Sequence, residues 1–220
     1  MTSRLRIPCF SLQPTLECGQ FFRFTKVLDT YIIQSSDKIF SIRQVGEFLF
    51  YEGVEEPFLV HFFRLDEDLD LIYKEIDRDA VIHQAIEKYR GLRMIRQDPW
   101  ECLISFLCSR AKNIPNIKKT VESICEAFGK EVRLDDYRSW TLPGPGQLAD
   151  IEKLKAAKTG FRAESIAAAN SLQTEDSTAS PKCTSPDTPK RSAVRSMYAA
   201  ISGCSAKTRV QPEVCAKEYE

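Results

Sequence analysis

The chain has 220 residues, and its 31 lysines and arginines are balanced by 31 aspartates and glutamates, so the formal net charge is zero. That balance excludes a protein that holds nucleic acid through an overall basic field; any such footprint has to be local. The length suffices to bury a sizeable core in one or two domains, and no apolar run approaches the length needed to span a bilayer.

In chain order, Cys18 to Phe24, CGQFFRF, reads as a short aromatic strand opened by a glycine. Tyr31 to Ser35, Lys38 to Val45 and Glu47 to Tyr51 are β-rich runs punctuated by Ser36-Asp37 and Gly46, which predicts a small antiparallel meander. From Leu65 the period becomes helical, with Leu65, Leu69, Ile72, Tyr73 and Ile76 on one face and Asp66, Glu67, Asp68 and Asp70 loading the first turn. A second helix over Val81 to Tyr89 ends at Gly91. His61 and His83 have no ligand-spaced partner and read as structural or surface residues.

At Asp98 the start of a helix is spelled out. Asp98 offers an acceptor at the N-cap, Pro99 a ring already set for helical φ at the first position, and Glu101 a carboxylate at the third. Cys102, Leu103, Phe106 and Leu107 then mark an apolar face, which gives way to a polar, basic elbow at Ser109, Arg110, Ala111, Lys112 and Asn113. A further helix carries Ile117, Val121, Ile124, Cys125 and Phe128, with Gly129 expected to end it in the left-handed conformation. Arg110, Lys112, Lys118 and Lys119 follow one another with no acid between them, a local positive edge in a neutral chain. Beyond Gly129 a loop containing Trp140 and Pro143-Gly144-Pro145-Gly146 leads to a helix from about Gln147 that stops at Gly160, followed by Phe161, Arg162 and Ala163.

After Asn170 the character changes. Ser171 to Ser192 has one large apolar residue, Leu172, among many Ser, Thr, Pro and Lys, and so predicts a linker without a buried face. The eight cysteines, at 9, 18, 102, 108, 125, 183, 204 and 215, contain no CxxC pair, and three of them lie on apolar helix faces as reduced, buried thiols do. Neither a zinc site nor a disulfide framework is expected, and with no signal peptide at the N-terminus the setting is soluble and intracellular.

The stretch RQDPWECLISFLCS, followed by NIP and then EAFG, resembles the core of the 8-oxoguanine DNA glycosylases, a family of helix-hairpin-helix glycosylases. The resemblance implies an α+β fold: a small antiparallel β domain with flanking helices over residues 1–90 and a mostly helical glycosylase domain over 91–169. A low-complexity linker over 170–193 and a degenerate helix-hairpin-helix over 194–220 complete the expected organisation.

In that family the GQ-F-R-F pattern supplies a glycine whose carbonyl accepts the proton that oxidised guanine carries on N7, and Gly19, Gln20, Phe22 and Arg23 stand where the pattern wants them. The loop from Ser109 to Asn116 is implied to face DNA and fill the hole left by the extruded base. This makes Arg110, Lys112 and Asn113 candidate contacts, where the family's run of asparagines reads Ala111, Lys112 and Asn113 and only Asn113 keeps the residue type. Phe161 corresponds to an aromatic wedge. Ile201 to Thr208 resembles the hairpin turn LPGVG-x-K, with Gly203 and Lys207 matching while Ser202 replaces the proline and Ser205 the second glycine. Gly203 is thereby implied to hold a DNA phosphate, and Lys207 to attack the sugar carbon and form a Schiff base.

The resemblance implies duplex DNA with an oxidised purine as partner, a monomer, no membrane and no metal or organic cofactor. The family's later PVD aspartate has no counterpart before Glu220, and the ending RVQPEVCAKEYE does not resemble the family's continuation, so a disrupted reading frame and an incomplete C-terminal half are expected. Spacing alone leaves plainer readings open: an αα-hairpin with a solvated charged loop at the elbow, a strand-entry glycine at 19 and a core aromatic at 161. The rival functions are a DNA-binding remnant that does not turn over and a scaffold fragment with no function of its own.

Overall fold

The computed structural model describes residues 2–178, side chains through residue 173, and within them the β-rich runs form one sheet. It is built from β1 (Ser3–Arg6), β2 (Phe24–Val27), β3 (Thr30–Ser35), β4 (Lys38–Val45) and β5 (Phe48–Glu52), in the order β1-β5-β4-β3-β2 with every pair antiparallel. The meander expected from the sequence is therefore present, with short turns at Ser36-Asp37 and Gly46-Glu47. Alternation puts Ile33, Phe40, Ile42 and Leu49 on a face that is fully buried. That face is covered by the short helices α1 (Leu12–Glu17) and α2 (Glu56–Phe62), neither of which the apolar spacing had revealed. Phe62 meets Phe40 edge-on at 5.9 Å and Phe63 at 4.9 Å between ring centroids, a favoured aromatic geometry.

The sheet is followed by α3 (Leu69–Ile76) and α4 (Ala80–Lys88), capped by Asp68 and Asp79, each of which accepts two backbone N–H groups. Leu65, expected on the first of these helices, lies before its cap. Then come α5 (Pro99–Ser109) and α6 (Ile114–Phe128), a hairpin of β6 (Glu131–Leu134) and β7 (Tyr137–Trp140), α7 (Ile151–Ala156) and α8 (Arg162–Thr178). The elements after Asp98 enclose a second core in which Leu103, Ile104, Val121, Ile124, Leu148 and Ile166 are buried. Ile95 still packs with the sheet-side core. The architecture is α+β, an N-terminal antiparallel sheet followed by a helical half.

Several local expectations are corrected. Cys18 to Phe24 is not a strand: Cys18 closes α1, Gly19 turns the chain at φ +90°, and β2 begins only at Phe24. The cause is Gln20, whose amide donates to Thr15 O and Arg93 O and accepts from Ile95 N at 2.9, 2.8 and 2.9 Å, binding this segment to residues 93–97 instead of to the sheet. Phe21 and Phe22 then part company, the first in the sheet core and the second against the helical one. On α5 the apolar face is rotated from the one the sequence suggested. Ile104 and Cys108 are buried, whereas Phe106 is 49% exposed and Cys102 is also exposed. Asp98 caps α5 as expected, accepting from Trp100 N and Glu101 N, but Glu101 does not reach back to close a capping box, because its carboxylate is used by the sheet.

Gly129 ends α6 in extended, not left-handed, backbone (φ −81°, ψ 176°). It is glycine because an added Cβ would lie 2.0 Å from Thr141 O and 2.6 Å from Cys125 O. Trp140 sits on a strand of the hairpin and not in a loop, and the helix expected from Gln147 starts at Ile151, where Asp150 accepts from Lys153 N at 2.9 Å. Helix α8 runs to Thr178, past the point where the composition turns polar. Its residues Arg162, Ala163, Ile166, Ala169 and Asn170 are buried, precede that point and anchor the helix. The remainder of the expected linker and the expected hairpin over 194–220 lie outside the described residues.

Candidate functional site

The site is assembled on the elbow between α5 and α6. Ala111 takes the left-handed conformation, φ +54°, which a glycine or asparagine adopts more easily. Asn113 spends its side chain locally, its Oδ1 accepting from Asn116 N at 3.1 Å as the N-cap of α6, with Pro115 in the first turn. Lys112 is not a free cation at the edge. Its ammonium donates to the Thr120 hydroxyl and to Lys158 O, the latter at 3.1 Å, and so ties the elbow to the turn between α7 and α8. Desolvation, helped by the nearby Arg162 charge, holds its pKa below the usual lysine value.

That turn delivers Phe161 to the same edge. Arg162 is buried and its guanidinium donates to Arg110 O and, at 3.3 Å, to Thr159 O, locking the start of α8 to the end of α5. Phe161 itself is 59% exposed, which removes the core-packing reading. Its ring has the guanidiniums of Arg162 at 4.4 Å and Arg110 at 5.9 Å from its centroid. Arg110, Asn113 and Phe161 are thus exposed together along one rim, with Lys112 beneath as a brace.

Gly19 packs against the first residue of α6. A Cβ added to it would meet Ile114 Cδ1 at 3.5 Å, one residue from the cap Asn113. Gly19 is half-buried, and its carbonyl accepts no hydrogen bond from the described residues. It lines a cleft of about 220 Å³ with Leu16, Phe21, Phe24, Ile114 and Lys118. Phe24 and Lys118 also line a neighbouring cleft of about 270 Å³ that runs on past Arg23, Lys119, Glu122 and Tyr137. The sequence-predicted reader therefore packs on Ile114, next to the sequence-predicted elbow, while Arg110, Lys112, Asn113 and Phe161 line neither cleft.

A buried ionic seam joins the two cores. Glu101 accepts from Ser36 N at 2.8 Å and Ser35 Oγ at 3.3 Å, with Arg23 Nη1 at 3.7 Å, while Arg23 also donates to Trp140 O and lies 3.9 Å from Glu122. Burial pushes the pKa of both Glu101 and Glu122 upward, and Arg23 opposes it. The pattern GQ-F-R-F pointed to Arg23, but nothing in the spacing of residues showed that Glu101, expected in a cap, was its partner.

Two of the three thiols expected to be buried on apolar helix faces are so. Cys108 and Cys125 are buried thiols pushed up to about 12, unreactive in that state, while Cys102 is exposed. His83 sits on the surface beside Asp77 at 2.8 Å, which raises its pKa. Among the described residues no helix is long and apolar enough to cross a membrane, and no three His, Cys, Asp or Glu side chains gather as a metal site. Gly203 and Lys207 lie outside the described residues.

Comparison with known proteins gives this geometry its context. Residues 4–103 match the family model of the 8-oxoguanine DNA glycosylase N-terminal domain. An N-glycosylase/DNA lyase of Saccharomyces cerevisiae is 32% identical over 112 residues, 49% of this chain and 30% of that protein. An N-glycosylase/DNA lyase of Arabidopsis thaliana is 30% identical over 119 residues, 52% of this chain and 33% of that protein. The matched part is thus about a third of the length of these relatives. Among solved structures, the 8-oxoguanine glycosylase/lyase of Clostridium acetobutylicum in its apo form superposes with a TM-score of 0.76 at 26% identity, covering 81% of this chain and 65% of that one. The same enzyme in complex with duplex DNA containing cytosine opposite 8-oxoguanine gives a TM-score of 0.73 at 25% identity, covering 81% and 67%. The likeness to the 8-oxoguanine DNA glycosylases suggested by the motifs is shown in both sequence and fold.

Proposed function

We propose that this chain reads oxidised guanine in duplex DNA as part of a base-excision DNA glycosylase with lyase activity. The observation that carries the reading is that Gly19, whose carbonyl accepts no hydrogen bond from the described residues, packs against Ile114, the first residue of α6 and the neighbour of Asn113 at the elbow, and lines one cleft with it. A base swung into that cleft would present its N7 edge to the Gly19 carbonyl. Oxidised guanine carries a proton there and normal guanine a lone pair, so the carbonyl is satisfied by one and left facing an acceptor by the other, a difference of about 1–3 kcal/mol. Phe161 would wedge into the stack beside the extruded nucleotide, and Arg110 would meet the phosphates that flank it. Lys112 acts indirectly, by holding the elbow to the turn that presents Phe161.

Bond breaking is assigned to Lys207, and the holding of a DNA phosphate to Gly203. A neutral amine attacks C1′ as the base departs, the Schiff base loses a C2′ proton, and the 3′-phosphate leaves by β-elimination. This chemistry requires neither metal nor organic cofactor. The protein would act as a monomer inside the cell, where its thiols stay reduced.

The test uses the full chain with duplexes that differ only in guanine or 8-oxoguanine at one position. Tighter binding of the lesion duplex, by about tenfold, is expected from the single acceptor, and Gly19→Ala abolishes the preference by straining a position at φ +90°. Equal affinity for the two duplexes overturns the reading. Borohydride trapping then separates the two activities: an adduct lost in Lys207→Ala supports the lyase, and lesion-selective binding without an adduct assigns a damage-binding protein that does not turn over.

A further inference from the structure

In the sequence Lys118 is one of four cations on a basic edge, equivalent to its neighbour Lys119. The fold separates them. Lys119 is exposed, whereas Lys118, one turn beyond Ile114, is half-buried and lines both clefts at the point where they meet. Its Nζ lies 3.3 Å from the centroid of the Phe24 ring. Among the described residues that ammonium has no hydrogen-bond acceptor and no ion-pair partner. The acid that lines the same cleft, Glu17, is already engaged by Tyr31 Oη at 2.6 Å, Gln13 Nε2 at 3.0 Å and Lys26 Nζ at 3.4 Å. Burial without an acceptor holds the pKa of Lys118 below the usual lysine value. A desolvated ammonium whose N–H donors are unused gains from an acceptor brought by a ligand.

Gly19 lines the same cleft and its carbonyl accepts no hydrogen bond from the described residues, so the lining carries an acceptor and a donor. On oxidised guanine the N7 proton lies between two carbonyl oxygens, O6 and O8, which makes that edge a donor next to an acceptor. We propose that Lys118 is a substrate-reading residue whose ammonium donates to a carbonyl oxygen flanking the N7 proton while the Gly19 carbonyl accepts the proton itself. The inference rests on the reading of the Gly19 cleft given above and adds a second, charged contact to it. The Phe24 ring, which holds the ammonium in the free protein, gives the purine an apolar surface once the ammonium has turned to its new acceptor.

The experiment measures Kd of the full chain and of Lys118→Met, Lys118→Gln and Lys119→Met for duplexes carrying 8-oxoguanine, guanine or a stable abasic-site analogue at one position. Lys118→Met keeps the length and apolar stem, and is expected to weaken the 8-oxoguanine complex by about tenfold or more, the range of a charge-assisted hydrogen bond, with the other two complexes within about twofold. Lys118→Gln, which keeps a donor, recovers part of the loss. Lys119→Met weakens all three complexes alike and flattens their salt dependence, as a phosphate contact does. If Lys118→Met also weakens all three alike, Lys118 is a phosphate contact and the inference falls; if it leaves the 8-oxoguanine complex unchanged, it falls as well. A wild-type chain that does not distinguish 8-oxoguanine from guanine overturns the cleft reading and the inference together, whereas wild-type discrimination that survives Lys118→Met overturns the inference alone.

Discussion

The two ends of α5 have opposite surroundings. At its start Glu101 is 4% exposed and faces Arg23, Ser35 and Ser36, a buried seam between the sheet and the helical half. At its end Arg110, Ala111 and Asn113 are exposed, Asn113 caps α6, and the Arg110 carbonyl accepts from the Arg162 guanidinium. One helix thus joins a region that holds the protein together to a region free to meet a partner. Desolvated charge at the first end is costly unless paired, which makes that end intolerant of change; the second end carries little of the stability and is where chemistry can vary.

The largest expected effect comes from breaking the seam. Arg23→Leu leaves Glu101 buried without its counter-charge and is expected to lower stability by about 3–5 kcal/mol, read as a reduced urea midpoint. A loss no greater than that of a surface substitution would erase the contrast between the two ends. Phe161→Ala should do the reverse. With its ring exposed, the change in stability is expected within about 0.5 kcal/mol, while affinity for the lesion duplex falls by about tenfold, as for loss of one base–aromatic stack. A drop in thermal midpoint without loss of binding would make Phe161 a structural residue.

The smallest effect is on pH dependence and sharpens the comparison. Glu101 is raised above its unfolded pKa by burial, so its protonated form is favoured in the folded state. Its contribution is fully present below the ordinary glutamate value and is lost as pH rises through the raised one. Glu122 has the same sign. Asp66 and Glu67, lowered mainly by hydrogen bonds from Arg96 and Arg64, have the opposite one and lose their contribution as pH falls. Stability measured from the ordinary glutamate range upward should therefore decline less steeply in Glu101→Gln than in the parent chain; identical slopes would show that Glu101 titrates at its ordinary value.

Much of the local structure was legible because it is set by neighbours in the chain. The meander follows from alternation of residues such as Ile33, Phe40 and Ile42, the start of α5 from Asp98 and Pro99, and the buried stripe of α6 from Ile117, Val121 and Ile124. The misreadings share a cause. Gln20 took backbone partners from a segment more than seventy residues away, so an aromatic run that looked like a strand became a turn. Glu101 had the spacing of a capping box but a stronger site in the sheet, and Gly129 is small because Thr141 approaches it, not because it turns left-handed. Short elements such as α1, α2 and the β6–β7 hairpin carry too few residues for periodicity to show.

By itself the sequence determined the elements whose causes are local, together with the family likeness carried by Gly19 to Phe24 and by the stretch around Asp98. Only the tertiary structure decided which charges are available. It withdrew Lys112 into a brace, set Arg110 beside the Phe161 ring, left Lys119 exposed, and drew Lys118 over Phe24 into the cleft with Gly19. A lysine's role depends on which distant atoms remove its water, and no spacing along the chain encodes that distance.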